Sequence, residues 1–239
     1  MNERLRSTRT TCIQTTMMGD DSMADPFLDK RVVKYDQWLK EGKIRFSSKV
    51  IPVKKTIQGA KWVLPAEEAL DIIRKSDKFA LAACTCRTHY NHCDAPRDVC
   101  LLLNDMAESY LKDGKARCIT LEDAEAVLLE SEKHGLVHLS FYQPGEKLYA
   151  LCSCCGCCCH DLRIMKLYKR PDIIAKSDYV AVTDPNACSD CCLCVDACPF
   201  EARLNNDGLL YDKNACYGCG VCIPACPEGA IVMELRISA

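Results

Sequence analysis

Nowhere in its 239 residues does this chain run apolar for the roughly 20 positions that a membrane-spanning helix needs. Residues 1–30 hold no unbroken apolar stretch that would form the core of a secretory signal. With 31 Lys+Arg against 33 Asp+Glu the net charge is −2, so there is no basic footprint for nucleic acid. Glycine is sparse, at 11 residues, and no glycine-rich phosphate loop follows a strand pattern, which leaves out flavin, nicotinamide and ATP motifs. These absences predict a cytoplasmic protein with no membrane span and no nucleic-acid partner, and one that is not an autonomous oxidoreductase. What the chain has in excess is cysteine, 21 in all. Without an oxidising compartment to pair them as disulfides, these thiols point to metal.

Two runs carry the firmest signal. Cys188-x2-Cys191-x2-Cys194-x3-Cys198-Pro199 and Cys216-x2-Cys219-x2-Cys222-x3-Cys226-Pro227 repeat one pattern at an offset of 28 residues. A 4Fe-4S cubane needs four soft thiolates at tetrahedral corners, and cysteines spaced by two on a looping backbone supply three of them. The fourth comes from the other run, so Cys188, Cys191, Cys194 and Cys226 form one expected ligand set and Cys216, Cys219, Cys222 and Cys198 the other. A structural zinc site is closed by four ligands and gains nothing from the third cysteine and the Cys-Pro step. Residues 178–234 thus resemble a bacterial-type ferredoxin domain with two 4Fe-4S clusters, which implies a two-fold pseudo-symmetric βαβ fold. The repeats differ in one respect: Gly218 and Gly220 in the second correspond to Asp190 and Cys192 in the first, which predicts a less permissive backbone there and different tuning of the two centres.

The rest of the chain is too long to be part of so small a unit. A polar, periodicity-free tail over residues 1–22, containing Cys12, reads as disordered. Residues 23–176 read as a cysteine-rich domain and 177–239 as the ferredoxin-type domain. Residues 32–59 suggest short strands or irregular structure. Pro65 opens a helix with an apolar stripe at Ala69, Leu70, Ile72 and Ile73. Pro96 is expected to open a second helix through VCLLLNDMAESYLKDG, and Thr120 with Asp123 a third that ends at Gly135. VHLSFY and KLYALC flank Gln143-Pro144-Gly145-Glu146 as a β-hairpin. The fold class is therefore α+β, a helical cysteine-rich domain with one hairpin followed by the ferredoxin-type domain. The helix and hairpin also suggest a winged-helix unit, but the Glu-rich helix would repel phosphate.

Two further cysteine groups lie upstream. Cys84, Cys86, Cys93 and Cys100 fall within 17 residues, and Cys152, Cys154, Cys155, Cys157, Cys158 and Cys159 occupy six of eight positions. A packed core has no use for so many thiols, so one or two additional iron-sulfur clusters are expected, with only some of the second group as ligands. Either the first group holds its own cubane, or both groups converge on one site of less usual nuclearity. Cys154-Cys155-Gly156, with Cys118 upstream, bears a faint similarity to the paired-cysteine motif of heterodisulfide-reductase-type noncubane clusters. The Cys-x2-Cys which that motif requires falls on Cys188 and Cys191. Arg87 is placed to donate to a cluster sulfur or to pair with a surface acid, and His89, His92 and His160 lie beside thiols. The architecture as a whole resembles multi-cluster iron-sulfur proteins of anaerobic metabolism. That implies electron transfer to or from a partner oxidoreductase. The alternatives are a catalytic subunit with an open iron site, or a redox- or oxygen-sensing regulator.

Overall fold

The computed structural model describes residues 25–53 and 65–236; the expected tail and Cys12 lie outside these. The first element is a helix, α1 (Pro26–Lys40), where strands or irregular chain were expected from residue 32 onward. Asp25 starts it, its carboxylate accepting from the amides of Phe27 and Leu28 while Pro26 takes the first turn. Such a cap contributes about 1 kcal/mol. Then follow β1 (Ser48–Ile51), α2 (Pro65–Arg74), β2 (Phe79–Ala83), α3 (Thr85–Tyr90), β3 (Asp98–Leu103), α4 (Asn104–Lys112), β4 (Ala116–Arg117), α5 (Leu121–Lys133), β5 (Val137–Gln143), β6 (Lys147–Cys154), α6 (His160–Leu167) and β7 (Ile174–Ala175). The last quarter holds β8 (Tyr179–Thr183), α7 (Leu193–Asp196), β9 (Arg203–Asn205), β10 (Leu209–Tyr211) and β11 (Ile231–Leu235).

The upstream unit is built on a sheet and is not the helical domain with one hairpin that was expected. Seven strands run in the order β4-β2-β3-β6-β5-β1-β7. All neighbours are antiparallel except β1 and β7. Residues 98–103, expected to open a helix at Pro96, are instead the strand β3, and only the second half of that segment is helical. The reason lies in packing. Leu101 and Leu103 face one hydrophobic core while Leu102 faces another, an alternation that only a strand covered on both faces can satisfy. One face carries α2 and α5, through Leu70, Ile73, Ala124 and Leu128. The other carries α1, α4 and α6, through Leu28, Tyr35, Ala107, Leu162 and Ile164. The capping box of Thr120 and Asp123 on α5 and the β5–β6 hairpin form where the sequence signals stood.

In the C-terminal unit β8 pairs with β11, and β9 with β10, both antiparallel. The first cysteine run carries the single-turn α7, and the second run passes through turns. The unit is fused to the upstream one: Phe200, Tyr217, Cys219 and Val221 belong to the same hydrophobic core as Leu28, Val53 and Leu162. Phe200 stacks on Tyr217 with centroids 4.3 Å apart, and the Val53 amide donates to the Cys219 carbonyl at 2.9 Å.

Candidate metal centres

The two C-terminal runs interleave. One small cavity is lined by Cys188, Cys191, Cys194 and Cys226, with the spare Cys192 also on its wall. A second is lined by Cys198, Cys216, Cys219 and Cys222. Each run thus lends its last cysteine to the other run's cavity. The loop geometry behind this is nearly the same in both. Gly218 and Gly220 have φ of 72° and 81°, and Asp190 and Cys192 adopt the same left-handed backbone at 51° and 61°. The expected loss of permissiveness does not change the loop path, because local bonds hold these residues. The Asp190 carboxylate accepts from the Leu209 amide at 3.2 Å, and the Cys192 thiol donates to the Asp190 carbonyl at 3.5 Å. Gly218 has no such freedom of replacement, since a Cβ there would collide with the Tyr179 carbonyl and the Ser177 hydroxyl. Because serine can make the same bond to Asp190, Cys192→Ser is expected to leave iron and sulfide content unchanged; an iron assay checks it.

Between the two cavities lies Arg203, 2% exposed. Its Nη1 donates to Thr183 Oγ1 at 2.9 Å and approaches Cys194 Sγ at 3.8 Å, and its guanidinium stacks over Tyr211 at 4.3 Å. Among the described residues, Nη2 is buried without a hydrogen-bond partner and no carboxylate pairs with this cation. Burial works against its charge, while the thiols of Cys222 and Cys194 favour it. A buried cation among thiols, with a donor left over, fits an anionic cluster on either side. At about 6 Å and an effective dielectric near 20, one positive charge favours the reduced form by about 3 kcal/mol, on the order of 100 mV for one electron. Arg203→Gln is therefore expected to lower at least one of the two potentials by an amount of that order, as read by redox titration followed by EPR. Potentials unchanged within error would remove Arg203 from this role.

The upstream cysteines gather at one end of the sheet and divide differently from the sequence grouping. Cys100 on β3 and Cys152 on β6 are register partners with sulfurs 3.4 Å apart. Cys84 and Cys86 follow β2, and Cys154 ends β6. A partly open cavity of about 270 Å³ is lined by Cys84, Cys86, Cys100, Cys152, Cys154, Cys155 and Cys159. His160 also faces it, with Nδ1 2.8 Å from Cys86 Sγ. Burial lowers the His160 pKa to about 4. Cys93 stands apart from its sequence neighbours and lies with Cys155, Cys157 and Cys158. Hydrogen bonding from Cys157 and, less strongly, the Arg87 charge bring the Cys155 pKa down to about 5 against the effect of burial, which favours the thiolate a metal needs. Cys118 is exposed and lines neither site, and Cys188 and Cys191 are in the C-terminal unit, so the noncubane motif is not assembled.

Arg87 is 1% exposed and donates to the carbonyls of Ser153 and Pro96, so it is not paired to a surface acid. His89 stacks on Phe27 at 4.6 Å, and His92 Nδ1 lies 3.1 Å from the Cys157 carbonyl. Three features had no signal in the sequence. The first is Arg203. The second is the pair of cations lining the large cavity, Arg31 and Lys34. The third is Asp161, fully buried, whose carboxylate accepts from Tyr35 at 3.0 Å, Ser47 at 2.5 Å and Ser48 at 2.7 Å. The upstream and C-terminal sites also touch. A Cβ on Gly156 would lie 3.3 Å from Cβ of Pro199, the residue after Cys198.

Residues 209–232 match the model of the 4Fe-4S binding domain family, a stretch that includes Cys216, Cys219, Cys222 and Cys226. No curated protein matches the chain.

Proposed function

We infer function from a ferredoxin-like iron-sulfur domain near the C-terminus of a mixed helix-and-sheet chain. We propose that the protein transfers single electrons to or from a partner oxidoreductase, as multi-cluster proteins of anaerobic metabolism do. In this reading residues 177–239 hold two 4Fe-4S clusters, on Cys188, Cys191, Cys194 and Cys226 and on Cys216, Cys219, Cys222 and Cys198. The cysteine-rich domain at 23–176 holds further iron-sulfur on thiols of the large cavity among Cys84, Cys86, Cys100, Cys152, Cys154 and Cys159. When bound, these clusters supply one-electron redox centres.

The observation that carries the reading is the continuity of the three thiol sites. The C-terminal cavities flank one buried cation, Arg203, and the inner cavity meets the upstream cysteine block at the contact of Pro199 with Gly156. The residues also give the path a direction. Cys191 is exposed, which favours exchange with a partner at the outer site, whereas Cys216, Cys219 and Cys222 are buried, Cys219 within the core shared with the upstream unit. Arg87 supports an anionic group in the large cavity, since its Nε is buried with no partner among the described residues and lies beside Cys84, Cys100, Cys154 and Cys155.

The test is iron and acid-labile sulfide per chain in anaerobically purified protein, with EPR of the reduced form. About twelve to sixteen of each is expected. About eight would confine the clusters to the C-terminal domain and overturn the extended relay.

The large cavity favours one second reading, a catalytic site with an open iron. It admits a small molecule, and Arg31 and Lys34 make its lining cationic. Small organic anions that perturb the EPR of the upstream centre, and lose that effect in Arg31→Gln, would support it; an unperturbed spectrum would exclude it.

A further inference from the structure

We propose that Cys93, Cys155, Cys157 and Cys158 form a mononuclear tetrathiolate site for one divalent metal ion, separate from every iron-sulfur cluster. Their four sulfurs all lie within 4.8 Å of one another. Cys93 and Cys155 are 3.6 Å apart, and Cys157 and Cys158 3.8 Å. A tetrahedral ion with metal–sulfur bonds of about 2.3 Å puts its thiolates about 3.8 Å apart, along the edges of the tetrahedron. In a cubane each thiolate sits on its own iron, so the four sulfurs spread to about 6 Å. The observed quartet has the first spacing. Among the described residues, it is the only group of three or more metal-ligating side chains with ligand atoms this close together, and none of the eight C-terminal cysteines belongs to it.

The backbone around the quartet is built to hold it. The chain turns at Gly156, where a Cβ would lie 3.3 Å from Cβ of Pro199, and the Cys159 amide closes that turn on the Cys155 carbonyl at 3.1 Å. The Cys157 carbonyl accepts from Arg163 at 3.4 Å, and His92, next to Cys93, meets the same carbonyl. The fourth ligand arrives from the loop after α3, 62 residues away from Cys155. Four thiolates around a divalent ion carry a net charge of −2, and Arg87 lies beside Cys155 to offset part of it. The donor set closes the coordination shell, as structural zinc sites do, and the same set accepts Fe²⁺. Its role is to fasten the 91–97 loop to the cysteine block, fixing one wall of the large cavity.

The experiment uses the full chain purified anaerobically. Zinc, iron and acid-labile sulfide are counted together. One zinc per chain, with zinc-edge absorption showing four sulfur neighbours at about 2.3 Å, is the expected result. An excess of one iron over sulfide, with a Mössbauer component of an isolated high-spin tetrathiolate iron, supports the same site filled by iron. Either metal should persist in Cys93→His, with one nitrogen replacing one sulfur and the cluster iron unchanged. Zinc with any other ligand set, or no zinc with iron equal to sulfide, overturns the proposal. The outcome is separable from that of electron transfer, because failure there removes the cluster EPR signals and leaves the zinc count untouched.

Discussion

Cys226→Ser is expected to remove about four iron and four sulfide per chain, or to leave a three-iron centre, at the site of Cys188, Cys191 and Cys194. The site of its own sequence neighbours, Cys216, Cys219 and Cys222, should keep its signal. Sequence proximity would suggest the reverse, since Cys226 follows Cys222 by four positions. Space decides otherwise: Cys226 lines the cavity of the first run and Cys198 that of the second. The EPR spectrum of Cys226→Ser should therefore match that of Cys188→Ser, and that of Cys198→Ser should match Cys216→Ser. Because Cys188 and Cys226 line one cavity, the double variant Cys188→Ser/Cys226→Ser should lose no more iron than the worse single. If Cys226→Ser instead reproduced the spectrum of Cys216→Ser, the crossed ligation would be wrong.

Asp161→Ala is expected to cost about 3–5 kcal/mol, a large part of the roughly 5–15 kcal/mol by which a domain is stable. The carboxylate is fully buried and collects three hydroxyls, from Tyr35 on α1, Ser47 just before β1, and Ser48 on it. Alanine would strand the hydroxyls of Tyr35 and Ser48, while Ser47 keeps the Ile173 carbonyl at 2.9 Å, and each buried donor left without an acceptor costs about 1–3 kcal/mol. Burial and the neighbouring carboxylate raise the Tyr35 pKa well above its ordinary value, so its hydroxyl stays protonated and the donor persists at alkaline pH. Asp161→Asn keeps one oxygen as acceptor and should cost clearly less. Urea unfolding under anaerobic conditions, followed by far-UV circular dichroism, measures both. A midpoint for the alanine variant within about 1 kcal/mol of the parent would show that the hydroxyls find other partners. The loss should also reach the thiols, because His160 precedes Asp161 on α6 and contacts Cys86.

The parts of this molecule legible in its sequence are those whose chemistry fixes a spacing. Cluster ligation dictates intervals of two and three, so the repeat at 188–198 and 216–226 is visible without structure. The capping box at Thr120 and the Pro144-Gly145 turn are local in the same sense, each satisfied by residues three or four apart. The helix α1 was missed although Asp25-Pro26 is a start signal, because its apolar stripe is weak and only Leu28 and Tyr35 are buried on it. The run VCLLL could have belonged to a helix or to a strand covered on both faces, and only the neighbours β2 and β6 decide for the strand. Cys93 changed partners for the same reason. Its allegiance depends on where the loop after α3 lands relative to the end of β6, which no spacing encodes. Arg203 and Asp161 carry no local mark at all, since their meaning comes from burial among groups far along the chain.

The sharing of one core between the two units also bears on how the protein is made. Phe200 and Tyr217, near the end of the chain, complete the hydrophobic layer under α1 and α6. When the first 176 residues have left the ribosome, that layer still lacks its last two aromatic rings, and the loop at Val53 lacks the Cys219 carbonyl. Those rings reach their places only once the C-terminal unit has been made and packs against the upstream one. Closure of the shared core is thus a late step in the folding of the whole molecule, and starvation for iron or sulfide is expected to leave the upstream sheet more open to proteases and its thiols to oxidants.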